Sequence, residues 1–235
     1  MPADADKSAD NMVVKFKAAF VFVLLACCLT LAASPATAQT QCGFADSIQF
    51  PVDTSAFRLA QDFGAPSPRH QGRFHTGEDW YGGRGSSYGQ PVMAAAAGRV
   101  TFSSPNGWGR DGGVIIIDHT FRDGTSAYSM YGHITDATGI EFPAVFTCVR
   151  PGDVIAAVGD IRPAPHLHFE IRTANPNLPG AGYAWDNPEA DGWRRPSKFV
   201  LNMQMQLSES FLWRADIADG TGPITPPIQL EDYSL

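Results

Sequence analysis

The stretch Pro165-His166-Leu167-His168-Phe169-Glu170 alternates polar and apolar side chains, and this pattern indicates a β-strand. Successive side chains of a strand point to opposite faces, so His166 and His168 lie on the same face. Imidazoles are common ligands of transition metals, and they also transfer protons near neutral pH. The stretch therefore predicts a sheet that carries two histidines side by side, at a site of metal or acid–base chemistry.

Two further segments supply the rest of a candidate metal site. His75 and Asp79 flank Gly77, which gives their loop freedom to turn both side chains inward. The segment Tyr131-Gly132-His133 ends an alternating run that predicts a second strand. A hydrolytic zinc uses three protein ligands and keeps a fourth position for water. The residues alone leave the ligand set open, because three histidines would serve as well as a set that includes the aspartate; those three are His75, His166 and His168.

Six motifs follow one another between Phe63 and Arg172. They are His75-Thr76-Gly77-Glu78-Asp79-Trp80, Pro91-Val92-Met93-Ala94-Ala95 with Gly98-Arg99-Val100, Ile115-Ile116-Ile117-Asp118-His119, Tyr131-Gly132-His133-Ile134, Val149-Arg150-Pro151-Gly152-Asp153-Val154-Ile155, and Pro165-His166-Leu167-His168-Phe169-Glu170. In order and approximate spacing, this set resembles the lysostaphin-type (LytM-type) zinc metalloendopeptidase family. Members of that family are DD-endopeptidases or glycyl-glycine endopeptidases of peptidoglycan.

The resemblance implies a fold, a cofactor and a role for each site residue. The fold is all-β: an antiparallel β-sheet domain of the lysostaphin type, similar to a duplicated hybrid motif, with an active-site groove. One Zn²⁺ per chain is implied, with His75, Asp79 and His168 as its ligands. His133 and His166 are the implied catalytic pair. We expect His166 to take a proton from water and His133 to hydrogen-bond the substrate carbonyl oxygen.

Other polar residues of these motifs have simpler interpretations. Glu78 departs from the family pattern, because an apolar residue is common at its position. Glu170 is either an outer partner of a ligating imidazole or an ordinary salt-bridged carboxylate. His119 ends an apolar strand, and we expect a structural role for it. His70 is interpreted as a solvated loop residue. Trp80, Trp108 and Tyr131 are candidates to line the groove, although core packing is the default expectation for each of them.

The N-terminus has the pattern of a secretory signal peptide. Lys15 and Lys17 precede an apolar run from Ala18 to Ala33, and Ala36-Thr37-Ala38 supplies small residues for cleavage. We predict that residues 1–38 are the signal and that cleavage follows Ala38. The expected location is outside the cytoplasm, in the periplasm or in the extracellular cell envelope.

This processing has alternatives, and cleavage of the signal leaves two cysteines in the chain. Met12 is an alternative start, Cys27 is an alternative site of lipoprotein processing, and the apolar run is somewhat short for a membrane anchor. Cys42 and Cys148 are the cysteines that remain after cleavage, and an even pair in an exported chain predicts a disulfide bond. Zinc ligation is the alternative use of these two thiols, although neither lies near the histidine motifs.

The charge of the chain bears on its partners. The formal net charge is −7, and it is unchanged by removal of residues 1–38, which hold three Asp and three Lys. No basic patch suggests nucleic acid as a partner. Net charge will not draw an acidic enzyme to an anionic wall polymer, so substrate recognition must be local. We expect a monomer that acts on a peptidoglycan peptide and has no membrane span after signal cleavage.

The mature chain is predicted to be mostly strand. Alternation and turn residues place five strands: Gly98–Ser103, Gly113–His119, Thr125–Ile134, Asp153–Val158 and His166–Arg172. One short helix is predicted to begin at Pro196. The expected organisation is an N-terminal segment at 39–62, a zinc peptidase catalytic domain at 63–174, a C-terminal extension packing on it at 175–214, and a poorly ordered tail at 215–235.

Three functions are compatible with this pattern. The first is an exported zinc endopeptidase that hydrolyses peptide cross-links of peptidoglycan. The second is an inactive binding module or an activator of other wall hydrolases, as in relatives that have lost ligands. The third is a zinc endopeptidase that acts on proteins. Retention of all five implied residues favours an enzyme over a binding module.

Overall fold

Strands dominate the part of the chain that the structure describes, which is residues 42–174 and 178–218 of this computed structural model, with backbone alone described for 209–218. The elements are β1 (Arg58–Gln61), β2 (Phe74–His75), β3 (Glu78–Tyr81), β4 (Pro91–Met93), β5 (Gly98–Ser104), β6 (Gly113–Thr120), β7 (Ser126–Thr135), β8 (Cys148–Val149), β9 (Val154–Val158), β10 (Leu167–Arg172), β11 (Tyr183–Ala184), β12 (Trp193–Arg194) and α1 (Pro196–Ala218). The predicted signal peptide and residues 219–235 of the predicted tail lie outside the described residues.

The main sheet is antiparallel throughout, which confirms the predicted all-β fold. Its strands follow the order β1-β3-β10-β7-β6-β5-β8, with β12 beside β10 and the pair β4 and β9 joined through β7. Each of the five predicted strands is present, with its ends within one residue of the prediction. A small second sheet pairs β2 with β11. Among the described residues, no helix is both long and apolar enough to span a membrane.

Strand register brings the histidine motifs together. β10 lies between β3 and β7, and His168 is opposite Asp79 on one side and Gly132 on the other. Residues that face each other across neighbouring strands have Cβ atoms about 5 Å apart. The sheet therefore places the three motifs side by side, although more than 80 residues separate the first from the last.

Helix α1 packs its apolar side on the same core. Val200 and Met203 are buried, and Leu207 packs against the core one turn later. This i, i+3, i+7 spacing is that of an amphipathic helix. The prediction of a short helix is wrong in length, because α1 runs from Pro196 to Ala218. The polar residues between these apolar positions lowered the helical signal.

The predicted disulfide bond joins Cys42 to Cys148, whose Cα atoms are 5.1 Å apart. Cys148 belongs to β8, which pairs with β5 at the edge of the main sheet. The bond therefore fixes the start of the described chain to this edge.

His119 takes part in a buried chain of hydrogen bonds. Its Nδ1 lies 2.9 Å from the carbonyl oxygen of Ala97, so this nitrogen donates, and Nε2 lies 2.7 Å from Oγ of Ser129. Ser129 in turn lies 2.8 Å from the hydroxyl of Tyr131, which accepts from the Ala95 N–H. Since Nδ1 already donates, the chain is complete when Nε2 accepts from Ser129. Burial lowers the pKa of His119 to about 4, and the ring is neutral at pH 7.

Acid should therefore destabilise the fold through His119. The unfolded imidazole binds a proton below a pKa of about 6.5, whereas the folded one does so only below about 4. Unfolding takes up a proton between these two pH values. The contribution of His119 to the free energy of unfolding therefore falls by about 3 kcal/mol as the pH drops from 7 to 4. Urea unfolding at pH 7 and pH 4 should show that the free energy of unfolding falls less for His119→Gln than for the parent. Equal falls in the two proteins would contradict this assignment.

Candidate active site

Three side chains that suit a transition metal converge in a groove on the main sheet. Nε2 of His75 lies 2.9 Å from Nδ1 of His168 and 3.2 Å from Oδ1 of Asp79. The same Asp79 oxygen lies 2.9 Å from Nδ1 of His168. All three residues are buried. Their ligand atoms lie close enough together to bind one ion, and no other such group is found among the described residues.

Outer hydrogen bonds fix which nitrogen of each imidazole faces the centre. Nδ1 of His75 faces the carbonyl oxygen of Asp62 at 3.2 Å, and Nε2 of His168 faces a Glu170 carboxylate oxygen at 2.9 Å. Both partners accept, so the outer nitrogens carry protons, and in the neutral rings the inner nitrogens carry lone pairs. With both rings neutral, two lone pairs and the Asp79 carboxylate meet at one point, where they repel each other unless a proton or a metal cation lies among them. Two neutral imidazoles and one carboxylate fit the donor set of Zn²⁺.

The surroundings favour positive charge at this point. Burial by itself would raise the pKa of Asp79, but hydrogen bonds from three histidines outweigh it and hold that pKa well below its usual range. Burial would likewise lower the pKa of His168, but the carboxylates of Asp79 and Glu170 outweigh it and raise the pKa to about 9. A ligating nitrogen has to be deprotonated, so metal binding at neutral pH would release this proton.

Position 77 requires glycine because its backbone lies too close to β10 for a side chain. A Cβ atom on this residue would lie 2.5 Å from the carbonyl oxygen of Phe169 and 2.8 Å from Nε2 of His168. Such distances leave no room for a side chain. The sequence suggested that this glycine gives the loop conformational freedom, whereas the structure shows that it lets the loop approach β10 closely.

His133 is the extra residue of a β-bulge near the end of β7. Its two neighbours in the strand pair with the adjacent residues Gly113 and Val114 of β6, so the ladder skips His133. Its φ angle of 61° is uncommon for a residue with a side chain. Bulges are frequent beside active sites, where they re-aim a side chain. Here the ring lines the groove, and its Nδ1 donates to the carbonyl oxygen of Asp111 at 2.7 Å.

His166 lies beside His133 at the edge of the metal centre. Its Nδ1 lies 2.8 Å from the carbonyl oxygen of Ala164, and its Nε2 lies 3.4 Å from Oδ2 of Asp79. The rings of His166 and His133 are 4.7 Å apart. Both Nδ1 atoms face carbonyl oxygens, so both rings keep an Nε2 lone pair that can accept a proton. The structure thus brings all five predicted site residues together: Asp79, His133, His166 and His168 line the groove, and His75 lies buried beside His168.

Burial, and repulsion from His166 and His168 when they are protonated, lower the pKa of His133 to about 3. This imidazole is therefore neutral at pH 7. A neutral ring whose Nδ1 donates to a carbonyl oxygen cannot also donate through Nε2. It can hydrogen-bond a substrate oxygen only after it has gained a proton.

The groove has a volume of about 620 Å³, and one of its walls, Tyr183, was missed in the sequence. Tyr183 lies in the predicted C-terminal extension, where its ring stacks on His70 at 3.8 Å and lies 5.2 Å from the ring of His75. The interpretation of His70 as a solvated loop residue is wrong, because it is half-buried and also bonds Oγ of Ser67 at 2.9 Å. No local pattern marks Tyr183, since its neighbours in space are distant in sequence.

Trp108 forms another wall of the groove, and it also packs against the core cluster of Val114, Ile116 and Met130. Its ring lies 4.9 Å from that of His133 and 5.2 Å from that of His168, and its Nε1 donates to the carbonyl oxygen of Gly180 at 2.9 Å. The ring packs closely on the backbone at Gly132, where a Cβ would lie 2.3 Å from it. Core packing is correct for Trp80 and Tyr131, which are buried.

Glu170 has both of the roles that the sequence left open. It is fully buried, and one oxygen accepts from Nε2 of His168 at 2.9 Å and from the hydroxyl of Thr76 at 2.6 Å. The other oxygen accepts from Arg172 at 2.5 Å and from Nε1 of Trp193 at 2.7 Å. Burial would raise the pKa of Glu170, but the Arg172 charge and these hydrogen bonds lower it to about 2. The carboxylate is thus ionised and orients the His168 ring.

With this geometry in place, residues 73–179 also match the model of peptidase family M23. This part of the chain is an M23 peptidase domain. The M23 domain contains all five predicted site residues, and it ends before β11, β12 and α1. No curated protein sequence matches the chain significantly.

Several solved structures are similar to the M23 domain and its surroundings. A zinc-containing peptidase from Vibrio cholerae is 23% identical, with a TM-score of 0.43, over 54% of this chain and 37% of that one. The catalytic domain of lysostaphin, an antimicrobial peptidase from Staphylococcus simulans, is 21% identical, with a TM-score of 0.44, over 62% and 93%. A variant catalytic domain of EnpA, a prophage-encoded M23 protein from Enterococcus faecalis, is 25% identical, with a TM-score of 0.41, over 60% and 95%. The chain thus spans little more than a third of the Vibrio cholerae peptidase.

Proposed function

We propose that this chain is an exported zinc-dependent endopeptidase that hydrolyses peptide cross-links of peptidoglycan. The observation that carries the proposal is the convergence of three lone-pair donors beside two proton-accepting imidazoles, inside an M23 peptidase domain. The wall substrate comes from the resemblance to the lysostaphin-type endopeptidases, and the export comes from the N-terminal signal pattern. In this proposal the catalytic domain is residues 63–174, and residues 175–214 pack on it.

His75, Asp79 and His168 would hold one Zn²⁺ through Nε2, a carboxylate oxygen and Nδ1. When bound, Zn²⁺ supplies Lewis acidity and a water molecule with a pKa of about 7. The carbonyl oxygen of Asp62 and the Glu170 carboxylate hold the outer nitrogens, so the rings keep the tautomers that ligation requires. His133, His166 and Trp108 line the groove beside these ligands, so water and substrate would reach the ion from the groove.

His166 would act as the general base. Its Nε2 accepts the proton that the attacking water loses, while its Nδ1 stays bonded to the carbonyl oxygen of Ala164. The hydroxyl adds to the substrate carbonyl carbon, and the proton passes to the amide nitrogen as the C–N bond breaks. The balance is one water consumed, with one new carboxyl group and one new amine formed; at pH 7 the proton of the acid passes to the amine.

His133 would carry the same proton from His166 to the substrate. Its pKa of about 3 leaves it neutral at the start, with Nε2 free to accept. Once protonated, the ring donates from Nε2 to oxygen or nitrogen of the substrate and keeps its bond to Asp111. The 4.7 Å between the rings of His133 and His166 lets both reach one reacting amide.

Digestion of purified peptidoglycan tests the proposed function. The chain without residues 1–38 should release cross-linked peptides, and a zinc chelator should abolish this release until zinc is restored. Mass analysis of the fragments identifies the cleaved bond from its new termini, and casein serves as the protein substrate for comparison. Cleavage of casein without peptidoglycan would instead support an endopeptidase of proteins. Stoichiometric zinc without any cleavage would support a binding or activating module.

A further inference from the structure

A short segment beyond the M23 domain is hydrogen-bonded to two buried carboxylates of the metal centre. The segment runs from Trp193, in β12, to Ser197, in the first turn of α1, and the M23 domain ends at residue 179. Its two carboxylate partners, Glu78 and Glu170, have no exposed surface. Glu78 directly precedes the candidate zinc ligand Asp79 in the sequence. Glu170 is hydrogen-bonded to the candidate zinc ligand His168.

Ser197 holds the first carboxylate. Its hydroxyl donates to Oε1 of Glu78 at 2.6 Å, and its backbone N–H donates to Oε2 at 3.0 Å. Glu78 directly precedes Asp79 in β3, so the two side chains point to opposite faces of the sheet. Asp79 lines the groove, and Glu78 reaches the N-terminus of α1, where a negative charge is favourable.

Trp193 holds the second carboxylate. Its Nε1 donates to Oε2 of Glu170 at 2.7 Å, while Oε1 of the same carboxylate accepts from Nε2 of His168 at 2.9 Å. β12 pairs with β10, and Trp193 is opposite Arg172 in that register. The indole therefore orients the carboxylate that fixes the tautomer and the direction of the His168 ring.

The choice of glutamate at position 78 indicates that these hydrogen bonds fix the position of β3. A buried carboxylate is costly unless hydrogen bonds compensate it, whereas an apolar residue would pack under α1 at no such cost. The buried Glu78 carboxylate therefore depends on its two hydrogen bonds from Ser197. Hydrogen bonds also fix the position of β3 more closely than apolar contact does, because they require particular distances and angles.

We propose that Trp193 and Ser197 are positioning residues of the metal centre. Acting through Glu170 and Glu78, they hold His168 and Asp79 at the spacing that one ion requires. The inference rests on the zinc site of the proposed function, but not on its substrate. It makes the segment after the M23 domain part of the catalytic unit.

Zinc affinity distinguishes positioning from a merely structural role. Trp193→Phe removes the indole N–H and keeps an aromatic ring, Ser197→Ala removes the hydroxyl, and Ser197→Thr keeps it. The matched control is Val200→Ala, which removes buried apolar volume from the same helix without touching either carboxylate. Each full-length mature variant is titrated with zinc against a competing chelator, and the absorption spectrum of its cobalt-substituted form is recorded. Urea unfolding of the metal-free proteins measures stability separately.

Trp193→Phe and Ser197→Ala should each weaken zinc binding by about tenfold, the lower end of the effect of outer partners on metal sites, and should shift the cobalt spectrum. Ser197→Thr and Val200→Ala should bind zinc as the parent does, although Val200→Ala loses stability. The inference is overturned if the first two variants lose only stability, with parental zinc affinity and cobalt spectrum. It is also overturned if the parent binds no zinc. Failure to cut peptidoglycan would overturn the proposed substrate and leave this result standing.

Discussion

Replacing His166 by alanine should lower the rate of peptide hydrolysis by about 10² to 10⁴ while zinc remains bound. The expected loss is large because this imidazole is proposed to accept the proton of the attacking water, and its Nε2 lies 3.4 Å from the Asp79 carboxylate. His133→Ala should have a loss in the same range, because its ring lies in the same groove. Turnover of a cross-linked peptide and the zinc content of the purified variants are the two measurements.

Alanine at a candidate ligand should give the contrasting result. Variants at His75, Asp79 and His168 should lose zinc as well as activity, because each removes one of three donors. Tyr88→Ala is a suitable control, since its side chain is exposed and lies outside the groove. It should keep both zinc and turnover. Loss of zinc in His166→Ala would contradict the division into ligands and catalytic pair, and would revive a shell of three histidines.

Removing the disulfide should lower the free energy of unfolding by about 2 to 5 kcal/mol. Cys42 and Cys148 are 106 residues apart, so the bond closes a long loop and restricts the unfolded chain strongly. Urea unfolding of the oxidised parent against a variant with alanine at both positions measures the difference. Unfolding of the parent under reducing conditions should match the double variant.

A loss well under 1 kcal/mol would contradict this expectation. It would show that the unfolded chain is already compact, so that closing the loop restricts it little. Because neither cysteine lines the groove, the double variant should keep the zinc affinity of the parent.

Local patterns accounted for five of the strands and for the start of the helix, but not for the helix length or for the other seven strands of the described residues. The strands that end at Ser104 and Thr120 were predicted to within a residue, because alternation is a local signal. The length of α1 was underestimated, because its apolar positions are separated by polar residues and depend on the core for their burial. Tyr183 gave no signal, because the histidine it contacts is distant in sequence, and for Trp108 the sequence left both a groove-lining role and core packing open.

The sequence by itself determined the kind of fold and the membership of the site. Period-two alternation predicted the sheet, and the spacing of the motifs together with the family resemblance named the five residues that the structure brings together, four lining one groove and His75 buried beside His168. Residue type is enough to name candidate site residues, because metal binding and proton transfer are intrinsic properties of imidazoles and carboxylates.

Only the tertiary structure decided how that chemistry is directed. It fixed the lone pair that each imidazole presents, through partners such as the carbonyl oxygens of Asp62 and Asp111. It also joined Glu78 to Ser197 across 119 residues of chain. Proton position and side-chain direction depend on contacts between segments far apart in sequence, and such contacts exist only once the chain has folded.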